Sequence, residues 1–345
     1  MRNHRIVVVG CGNMANAWVD YALSRHDTEI VGLVDIKAEF AEAFAIRRNL
    51  TCPVFTDVQE AVTVTGATVV FDVTIPESHY GVATTALASG CHVFGEKPMA
   101  ETMEQARALI GKAAEADRSL AIMQNRRYDK NIRACRELVN EGKGVLGRLG
   151  MVNADFFLGA HFGGFRDAMN SPLLLDMAIH TFDQARFITG SDPVSVYCHE
   201  FNPPGSWYAG AASAVCIYEM SDGSVFTYRG SWCAEGAATS WQGNWRIIGE
   251  LGTAIWDGET EPYAEVVSPG THEGEFMLPH HRISNSAEWS GQGGHAGCLD
   301  EMFASITEGR SAETDCRDNI KSMAMVIGAV ESARLGQKVE LNGYW

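Results

Sequence analysis

The sequence lacks long hydrophobic runs and is poor in positive charge. No stretch of about 18 or more residues is apolar enough to span a membrane, so no transmembrane helix is predicted. The apolar run that begins at Ile6 is too short for a secretory signal, and no small-residue cleavage site follows it. We therefore expect a cytoplasmic protein. The 27 basic residues against 43 acidic ones give a formal net charge of −16. This charge repels nucleic acids and anionic membranes, so neither is an expected partner.

The cysteines also lack a recognisable spacing. There are nine of them, an odd number, and none forms a C-x-x-C pair. This pattern argues against a disulfide framework and against a cysteine-based zinc site, and it favours reduced, buried thiols. The length of 345 residues and the hydrophobic content of 46% are typical of a globular protein with two domains or one large one.

The first third of the chain alternates between two patterns. Short runs rich in β-branched residues predict strands, and longer alanine-rich stretches between them predict helices. The predicted strands are residues 5–10, 29–35, 53–55, 69–74, 92–94 and 120–123, and the predicted helices are 13–25, 38–48, 77–89 and 100–116. This alternation predicts a parallel sheet with right-handed crossovers. Residues 1–122 are therefore predicted to form a doubly wound Rossmann domain.

A glycine-rich loop follows the first predicted strand. It matches the pattern G-x-G-x-x-[GA] through Gly10, Gly12 and Ala15. The first glycine permits a tight turn, the second lets the backbone approach a pyrophosphate, and the alanine lets the helix pack closely on the strand. The following helix would offer unpaired N–H groups to phosphates. We predict dinucleotide contacts from Gly10, Cys11, Gly12, Asn13 and Met14.

Asp35 ends the second predicted strand, 23 residues after Gly12. A carboxylate at this position accepts hydrogen bonds from the adenosine ribose hydroxyls and repels a 2′-phosphate. NAD is therefore the favoured cofactor, and NADP stays an alternative because Lys37 could soften the repulsion. Asp35 could also act as the N-cap of the helix that begins near Ala38.

A lysine lies at the carboxyl end of the predicted strand His92–Phe94, within Glu96-Lys97-Pro98. Ligands of open α/β sheets bind at this end of the strands. Pro98 biases Lys97 toward an extended backbone. Here Lys97 could hydrogen-bond a substrate hydroxyl and stabilise a developing alkoxide. Taken alone, the pattern is better explained by a surface lysine before a turn.

One apolar predicted helix, residues 173–188, carries Asp176, His180 and Asp183 at spacings i, i+4 and i+7. All three fall on one side of the helix. A histidine satisfied by carboxylates is one interpretation. A metal site is another, but no second ligand cluster is evident and no metal is predicted. Acid–base chemistry is the third, because imidazole groups titrate near neutral pH.

The pattern changes in the second half of the chain. Predicted strands at 152–158, 194–200, 214–220, 224–231, 245–248 and 253–256 follow one another with turns between them and no helices. Residues 123–345 are therefore predicted to form an α+β domain with an open, mostly antiparallel sheet. By position, Arg127 and His161 are candidates for binding substrate hydroxyl or carboxylate groups. The tryptophans of this half are assigned chiefly to core and interface packing.

Taken in order, these motifs resemble the Gfo/Idh/MocA family of glucose–fructose oxidoreductase and inositol dehydrogenase. The resemblance extends over essentially the whole chain, through Thr74-Ile75-Pro76-x-x-His79 and Asp176-x-x-x-His180-x-x-Asp183 to a closing helix near 315–335. It implies an NAD(H)-dependent oxidoreductase acting on a secondary alcohol of a sugar, sugar derivative or cyclitol. It also implies a homodimer or homotetramer, and a closing helix that is a candidate for packing back on the first domain.

The resemblance also assigns roles to residues. It implies Lys97, Asp176 and His180 as the catalytic group, which would also bind substrate. The cofactor contacts it implies include Thr74, Ile75, Pro76, His79, Glu96 and Lys97.

Two departures from the family pattern concern the stretch around Asp176. Ala178 stands where the family often has glycine, and residues 170–175 replace a frequent Gly-Gly pair, so substrate preference is expected to differ. Two alternative functions stay open. One is a redox-neutral glycoside hydrolase or lyase with tightly bound NAD. The other is a non-catalytic dinucleotide-binding regulator, which would lack part of the catalytic group.

Overall fold

The protein is described from a computed structural model, which covers residues 4–139, 144–287 and 289–345. The chain forms two compact units. The first holds the chain up to Asn125 together with His295–Ile320, and the second holds Arg126–Gly294 and Lys321–Trp345. The sequence-based boundary between residues 122 and 123 stays a prediction, and it assigns His295–Ile320 to the second domain instead.

The described residues contain nine helices and fifteen strands in addition to short helical turns. The helices are α1 (Ala15–Ser24), α2 (Ala38–Arg48), α3 (Val58–Thr65), α4 (Pro76–Ala88), α5 (Met103–Ala116), α6 (Lys130–Val139), α7 (Ile179–Thr189), α8 (Gly294–Glu308) and α9 (Cys316–Leu335). The strands are β1 (His4–Val9), β2 (Thr28–Val34), β3 (Val54–Phe55), β4 (Val69–Asp72), β5 (His92–Gly95), β6 (Leu120–Ile122), β7 (Leu149–Phe157), β8 (Pro193–Phe201), β9 (Ser213–Met220), β10 (Val225–Ser231), β11 (Asn244–Gly249), β12 (Gly252–Trp256), β13 (Tyr263–Val267), β14 (His280–Ser284) and β15 (Val339–Glu340).

The first unit contains a six-stranded sheet in the order β3-β2-β1-β4-β5-β6, and every neighbouring pair is parallel. Strands β2 and β3 are added on one side of β1, and strands β4, β5 and β6 are added on the other side. The topological switch point of this doubly wound sheet therefore lies between β1 and β4. β1 and β4 are almost entirely buried, because both faces of a parallel sheet are covered. The predicted Rossmann fold is confirmed.

Two helices of this unit were not predicted from the sequence. α3 is only eight residues long, and the carboxylate of Asp57 caps it by accepting a hydrogen bond from Glu60 N at 2.7 Å. α8 comes from the far end of the chain. Its Phe303 packs edge-on against Phe71 and Phe94 of the sheet, with ring centroids 6.1 and 5.1 Å apart. A contact between residues so far apart in the chain produces no local sequence pattern from which it could be predicted.

The second unit contains a nine-stranded sheet in the order β14-β13-β12-β11-β7-β10-β9-β8-β15. Only β7 and β10 run parallel, and every other neighbouring pair is antiparallel. Burial alternates along β9 and β10, so one face of the sheet is buried and the other is exposed. The predicted mostly antiparallel sheet is confirmed.

The helix predicted at 173–188 differs from expectation at its start. Residues Leu173–Ala178 form a π-helical turn, and the α-helix α7 begins at Ile179. α7 ends at Gly190, whose φ of 69° is the left-handed conformation that glycine adopts without strain. A hydrophobic pattern over six residues cannot separate a π turn from an α turn, because both bury the same side chains.

The described residues contain no helix with the length and apolar character needed to cross a membrane. All nine cysteines lie in the described part of the chain; none is in a disulfide, and seven are buried.

Candidate active site

The glycine loop joins β1 to α1 at the switch point of the first sheet. Gly10 has a φ of +92°, and a Cβ atom there would lie 2.7 Å from the carbonyl oxygen of Val73. Glycine is therefore required at this position. Gly12 is different, because a Cβ atom there would meet nothing within 4 Å. The space above Gly12 is open, as the approach of a ligand to the backbone requires.

Asp35 holds the loop in place. Its Oδ2 accepts a hydrogen bond from Cys11 N at 3.0 Å, and its Oδ1 accepts one from Lys37 N at 3.1 Å. The N-cap of α2 is Lys37 and not Asp35, so the alternative role considered for Asp35 is wrong. Burial, followed by the nearby Asp35 carboxylate, raises the pKa of the Cys11 thiol to about 12, and this thiol stays neutral.

The residues of the loop fit a dinucleotide. No side chain caps the N-terminus of α1, where Asn16 N and Ala17 N donate to the backbone oxygens of Asn13 and Met14. Gly12, Asn13 and Met14 are exposed beside this helix end. Backbone N–H groups at an uncapped helix N-terminus, next to an open glycine, form an anion-binding site suited to a pyrophosphate.

Two alanine substitutions in the loop should separate binding from folding. Gly12→Ala should lower NAD affinity by about tenfold or more, because the added methyl group occupies the open space above the backbone. The free energy of unfolding should change by less than about 0.5 kcal/mol, since the methyl group meets no protein atom. Gly10→Ala should instead lower the free energy of unfolding by more than about 1 kcal/mol. NAD titration calorimetry and urea denaturation measure the two effects, and equal NAD affinity in Gly12→Ala and wild type would contradict the assignment.

A second polar group lies at the carboxyl end of β4. Asp72 Oδ1 accepts a hydrogen bond from Thr74 Oγ1 at 2.5 Å, and Asp72 Oδ2 lies 3.0 Å from His79 Nδ1. Asp72 and His79 are both buried. The two predicted cofactor residues Thr74 and His79 are thus brought together by Asp72, which sequence reasoning missed. Ile75 precedes α4 and is exposed, and Pro76 is the first residue of that helix.

The Glu96-Lys97-Pro98 turn follows β5. Trp18 Nε1 donates a hydrogen bond to Glu96 Oε1 at 2.9 Å, and His295 Nε2 lies 3.9 Å from the same oxygen. Lys97 is half-buried beside them, at the carboxyl end of the sheet as predicted. Sequence reasoning missed the roles of Trp18 and His295, because neither residue is near the turn in sequence.

In the second unit, Asp176 lies in the π-helical turn and His180 in the first turn of α7. Asp176 Oδ2 accepts a hydrogen bond from Arg166 Nε at 2.6 Å, and both side chains are half-buried. Sequence reasoning also missed Arg166. The ion pair orients the Asp176 carboxylate next to a cation, and carboxylate oxygens accept hydrogen bonds from hydroxyl groups.

Arg127, predicted to bind substrate, forms a two-point ion pair with Asp183. The distances are 2.7 Å from Nε to Oδ2 and 2.6 Å from Nη2 to Oδ1, and both side chains are buried. Ser322 Oγ also donates to Asp183 Oδ1 at 2.7 Å. Asp183 therefore belongs to a buried network, although its spacing groups it with Asp176 and His180. A substrate role for Arg127 stays a prediction.

His161, the other predicted substrate residue, lies in the loop after β7. Its Nε2 is 2.7 Å from Glu235 Oε1, and its ring stacks on Trp207 with centroids 3.7 Å apart. Both His161 and Glu235 are exposed. The described contacts place His161 on an exposed aromatic surface and do not join it to Arg127.

A buried carboxyl group anchors the start of the π-helical turn. Glu200, near the end of β8, accepts a hydrogen bond from Ser171 Oγ at 2.9 Å, and Ser171 O accepts one from Leu175 N. Burial raises the pKa of Glu200 to about 7, although the Ser171 hydrogen bond acts in the opposite direction. Glu200 thus ties the segment that carries Asp176 to the sheet.

The raised pKa of Glu200 predicts a pH-dependent stability. Between the ordinary carboxyl pKa and about 7, the folded protein binds more protons than the unfolded chain. The contribution of Glu200 to the free energy of unfolding is therefore fully present at low pH and is lost as pH rises through about 7. Relative to wild type, Glu200→Gln should gain about 1 kcal/mol of stability as pH rises from the ordinary carboxyl pKa to about 7, a value reduced for solvent screening. Urea denaturation across pH measures this, with exposed Glu265→Gln as the control. A pH-independent difference would contradict the prediction.

Among residues 4–139, 144–287 and 289–345, no group of three or more His, Cys, Asp or Glu side chains is arranged to hold a metal ion.

Comparison with known sequence families identifies the chain. The model of the oxidoreductase family with an NAD-binding Rossmann fold, GFO_IDH_MocA, matches residues 4–124. The model of the C-terminal alpha/beta domain of the same family matches residues 136–341. The protein belongs to this NAD-binding oxidoreductase family, and the resemblance drawn from the motifs is confirmed.

Several proteins are similar to this chain. Uncharacterized protein y4oX of Sinorhizobium fredii is 28% identical over 99% of this chain and 96% of its own length. D-glucoside 3-dehydrogenase of Escherichia coli is 30% identical over 59% of each chain. Among solved structures, an oxidoreductase from Agrobacterium radiobacter, in complex with NAD+, L-tartaric acid and magnesium, superposes with a TM-score of 0.85. It is 19% identical and covers 99% of this chain and 100% of its own, which shows that the fold is shared.

Proposed function

We propose that this protein is an NAD-dependent dehydrogenase that oxidises a secondary alcohol of a sugar, sugar derivative or cyclitol, or reduces the corresponding ketone. The observation that carries the proposal is the arrangement of the first sheet. The dinucleotide loop and Asp35 lie at its switch point, and Lys97 lies at the carboxyl end of β5, two strands away from β1. The similarity to D-glucoside 3-dehydrogenase supports a carbohydrate substrate.

The cofactor would be held by Gly10, Gly12 and Asp35, with the uncapped start of α1 facing the pyrophosphate. When bound, NAD supplies a nicotinamide that accepts the hydride from the carbinol carbon. Asp35 favours NAD over NADP, because its two oxygens already accept backbone hydrogen bonds and a 2′-phosphate would add a second negative charge beside them. Thr74, His79 and Glu96 shape the same edge of the sheet.

The remaining chemistry is assigned to three residues. In the oxidation direction, His180 accepts the hydroxyl proton as general base. Lys97 donates a hydrogen bond to the same oxygen and stabilises the negative charge that develops there. Asp176, oriented by Arg166, accepts a hydrogen bond from a hydroxyl of the substrate and holds it in place.

We further propose that the protein acts as a homo-oligomer through the exposed face of the nine-stranded sheet. Tyr197, Phe201, Val215 and Ile217 lie exposed on this face, on the neighbouring strands β8 and β9. Apolar side chains grouped in this way are typical of a subunit interface. Sedimentation velocity of the purified protein tests the proposal, and a monomer at micromolar concentration would contradict it.

A substrate screen tests the proposed activity. NAD and NADP are each mixed with the protein and with monosaccharides, inositols, sugar acids and simple glycosides, and the absorbance of reduced nicotinamide is followed. We expect reduction with NAD and one substrate group. Silence with every substrate, from a protein shown by calorimetry to bind NAD, would contradict the proposal.

A further inference from the structure

Three loops gather at one end of the nine-stranded sheet, at the carboxyl ends of β7 and β10. They are residues 158–172, 202–212 and 232–243. Backbone hydrogen bonds join them, with Ala234 N donating to Leu158 O at 3.2 Å and Ala211 N donating to Asn170 O at 2.8 Å. The three loops therefore form one continuous surface, and the π-helical turn with Asp176 begins immediately after the first of them.

This surface exposes three large aromatic side chains. Phe162, Phe165 and Trp241 are 56%, 57% and 47% exposed, and we refer to them as the aromatic platform. The rings of Phe162 and Trp241 have centroids 6.2 Å apart, and Phe162 rests edge-on against buried Trp232 at 5.9 Å. Large apolar groups exposed together mark a binding surface, because water contact with them is unfavourable.

Arg166 connects the aromatic platform to the proposed catalytic group. Its guanidinium carbon lies 5.3 Å from the ring centroid of Phe162 and 4.7 Å from that of Phe165. Its Nε donates to Asp176 at 2.6 Å. One side chain thus contacts both Asp176 and the platform, so the two lie within the span of a single arginine.

The charges of this surface restrict the charge that a ligand group bound on the aromatic platform can carry. All residues of the three loops are described, and Arg166 is the single lysine or arginine among them. It is already engaged with Asp176, and the loops add the carboxylates Asp167 and Glu235. His161 is paired with Glu235. A nucleoside diphosphate needs several free cations or N–H donors, and this surface is instead acidic.

From these observations we propose that the aromatic platform stacks a second, uncharged ring of the substrate. The substrate class is then a neutral glycoside, either a disaccharide or an aryl glycoside, and not a free monosaccharide or a nucleoside diphosphate sugar. The apolar C–H face of a pyranose or the face of an aryl ring packs against the aromatic side chains. This inference rests on the proposed dehydrogenase function and specifies its substrate.

The test compares substrates that share one sugar and differ only in the second group. The kcat/KM of the phenyl glycoside should exceed that of the methyl glycoside by about tenfold in the wild type, mainly through KM. Trp241→Ala should lower kcat/KM for the phenyl glycoside by about tenfold and so abolish this preference, whereas Trp241→Phe should retain most of it. Phe276→Ala removes a fully exposed ring outside the surface and serves as the matched control. The nucleoside diphosphate sugar should be a poorer substrate than the phenyl glycoside.

Equal kcat/KM for the phenyl and methyl glycosides in the wild type would overturn the inference about the aromatic platform. It would leave the proposed function intact, since the protein would still be a dehydrogenase. A preference that survives in both Phe162→Ala and Trp241→Ala would also overturn it. So would a fall in the sedimenting mass of these variants, which would make the platform an interface between copies of this chain. If no substrate reduces NAD, the proposed function fails. Calorimetric titration of phenyl glycoside into wild type and Trp241→Ala then still tests the platform, with at least tenfold weaker binding to the variant expected.

Discussion

Lys97→Ala should lower kcat by a factor of about 10² to 10⁴ while NAD affinity changes less than about threefold. The substitution removes the cation that we assign to the developing alkoxide, and this interaction is strongest in the transition state. The dinucleotide loop lies two strands away from β5 and keeps its own hydrogen bonds to Asp35. Steady-state kinetics on the substrate found by screening, together with NAD titration calorimetry, measure the two quantities.

Lys112→Ala is the matched control for this experiment. Lys112 lies on α5 of the same unit and takes no part in the proposed chemistry. Lys97→Arg adds a second comparison, because it keeps the charge and changes the geometry of the donors. Wild-type kcat in Lys97→Ala would remove Lys97 from the catalytic group. Loss of NAD binding to the same degree as loss of kcat would make Lys97 a cofactor-binding residue instead.

Asp183→Ala should lower the free energy of unfolding of the second unit by about 3–5 kcal/mol. The reason is the buried guanidinium of Arg127, which makes two hydrogen bonds to Asp183 at 2.6 and 2.7 Å. Removing the carboxylate breaks both of these hydrogen bonds and one side of a buried ion pair, and this costs more than the ion pair contributes when intact. Urea denaturation followed by tryptophan fluorescence measures the change, because many of the tryptophans lie in the second unit.

The control for this prediction replaces both partners. Arg127→Leu with Asp183→Leu removes both charges of this pair, so the double variant should recover most of the stability lost in Asp183→Ala. Arg127→Ala separates the structural role from the predicted substrate role. A raised KM with wild-type stability would assign Arg127 to substrate binding, whereas lost stability with an unchanged KM would assign it to the buried ion pair.

Local patterns were sufficient for the first sheet. The strand that ends at Gly10, the loop through Ala15 and the acid at position 35 are close together in sequence. Their spacing therefore sufficed to predict that the loop and Asp35 lie together, and Cys11 N donates to Asp35 in the structure. The strands β7 to β12 were likewise found from alternation and turns. Short elements such as α3 were missed, because their periodicity is too brief to read.

The partners of the site residues could not be predicted in this way. Trp18 and His295 contact Glu96, and Asp183 contacts Arg127, from segments far apart in the chain. Arg166 is only ten residues from Asp176, but it lies in a loop whose conformation the sequence pattern does not predict. Asp183 shares the helical stripe of Asp176 and His180, yet it faces a buried arginine. Helical spacing determines which side of a helix a residue occupies, but what packs against that side depends on the rest of the fold.

The sequence by itself determined the class of fold, the dinucleotide loop and the family, because these depend on residues close together whose chemistry and backbone conformation are local. The tertiary structure alone decided which carboxylates are buried in ion pairs and which remain near the surface. It also brought Trp241 from a second loop to Phe162, which lies in one loop with Phe165 and Arg166. Burial and charge pairing are properties of the packed chain, since they arise only when distant segments exclude water together.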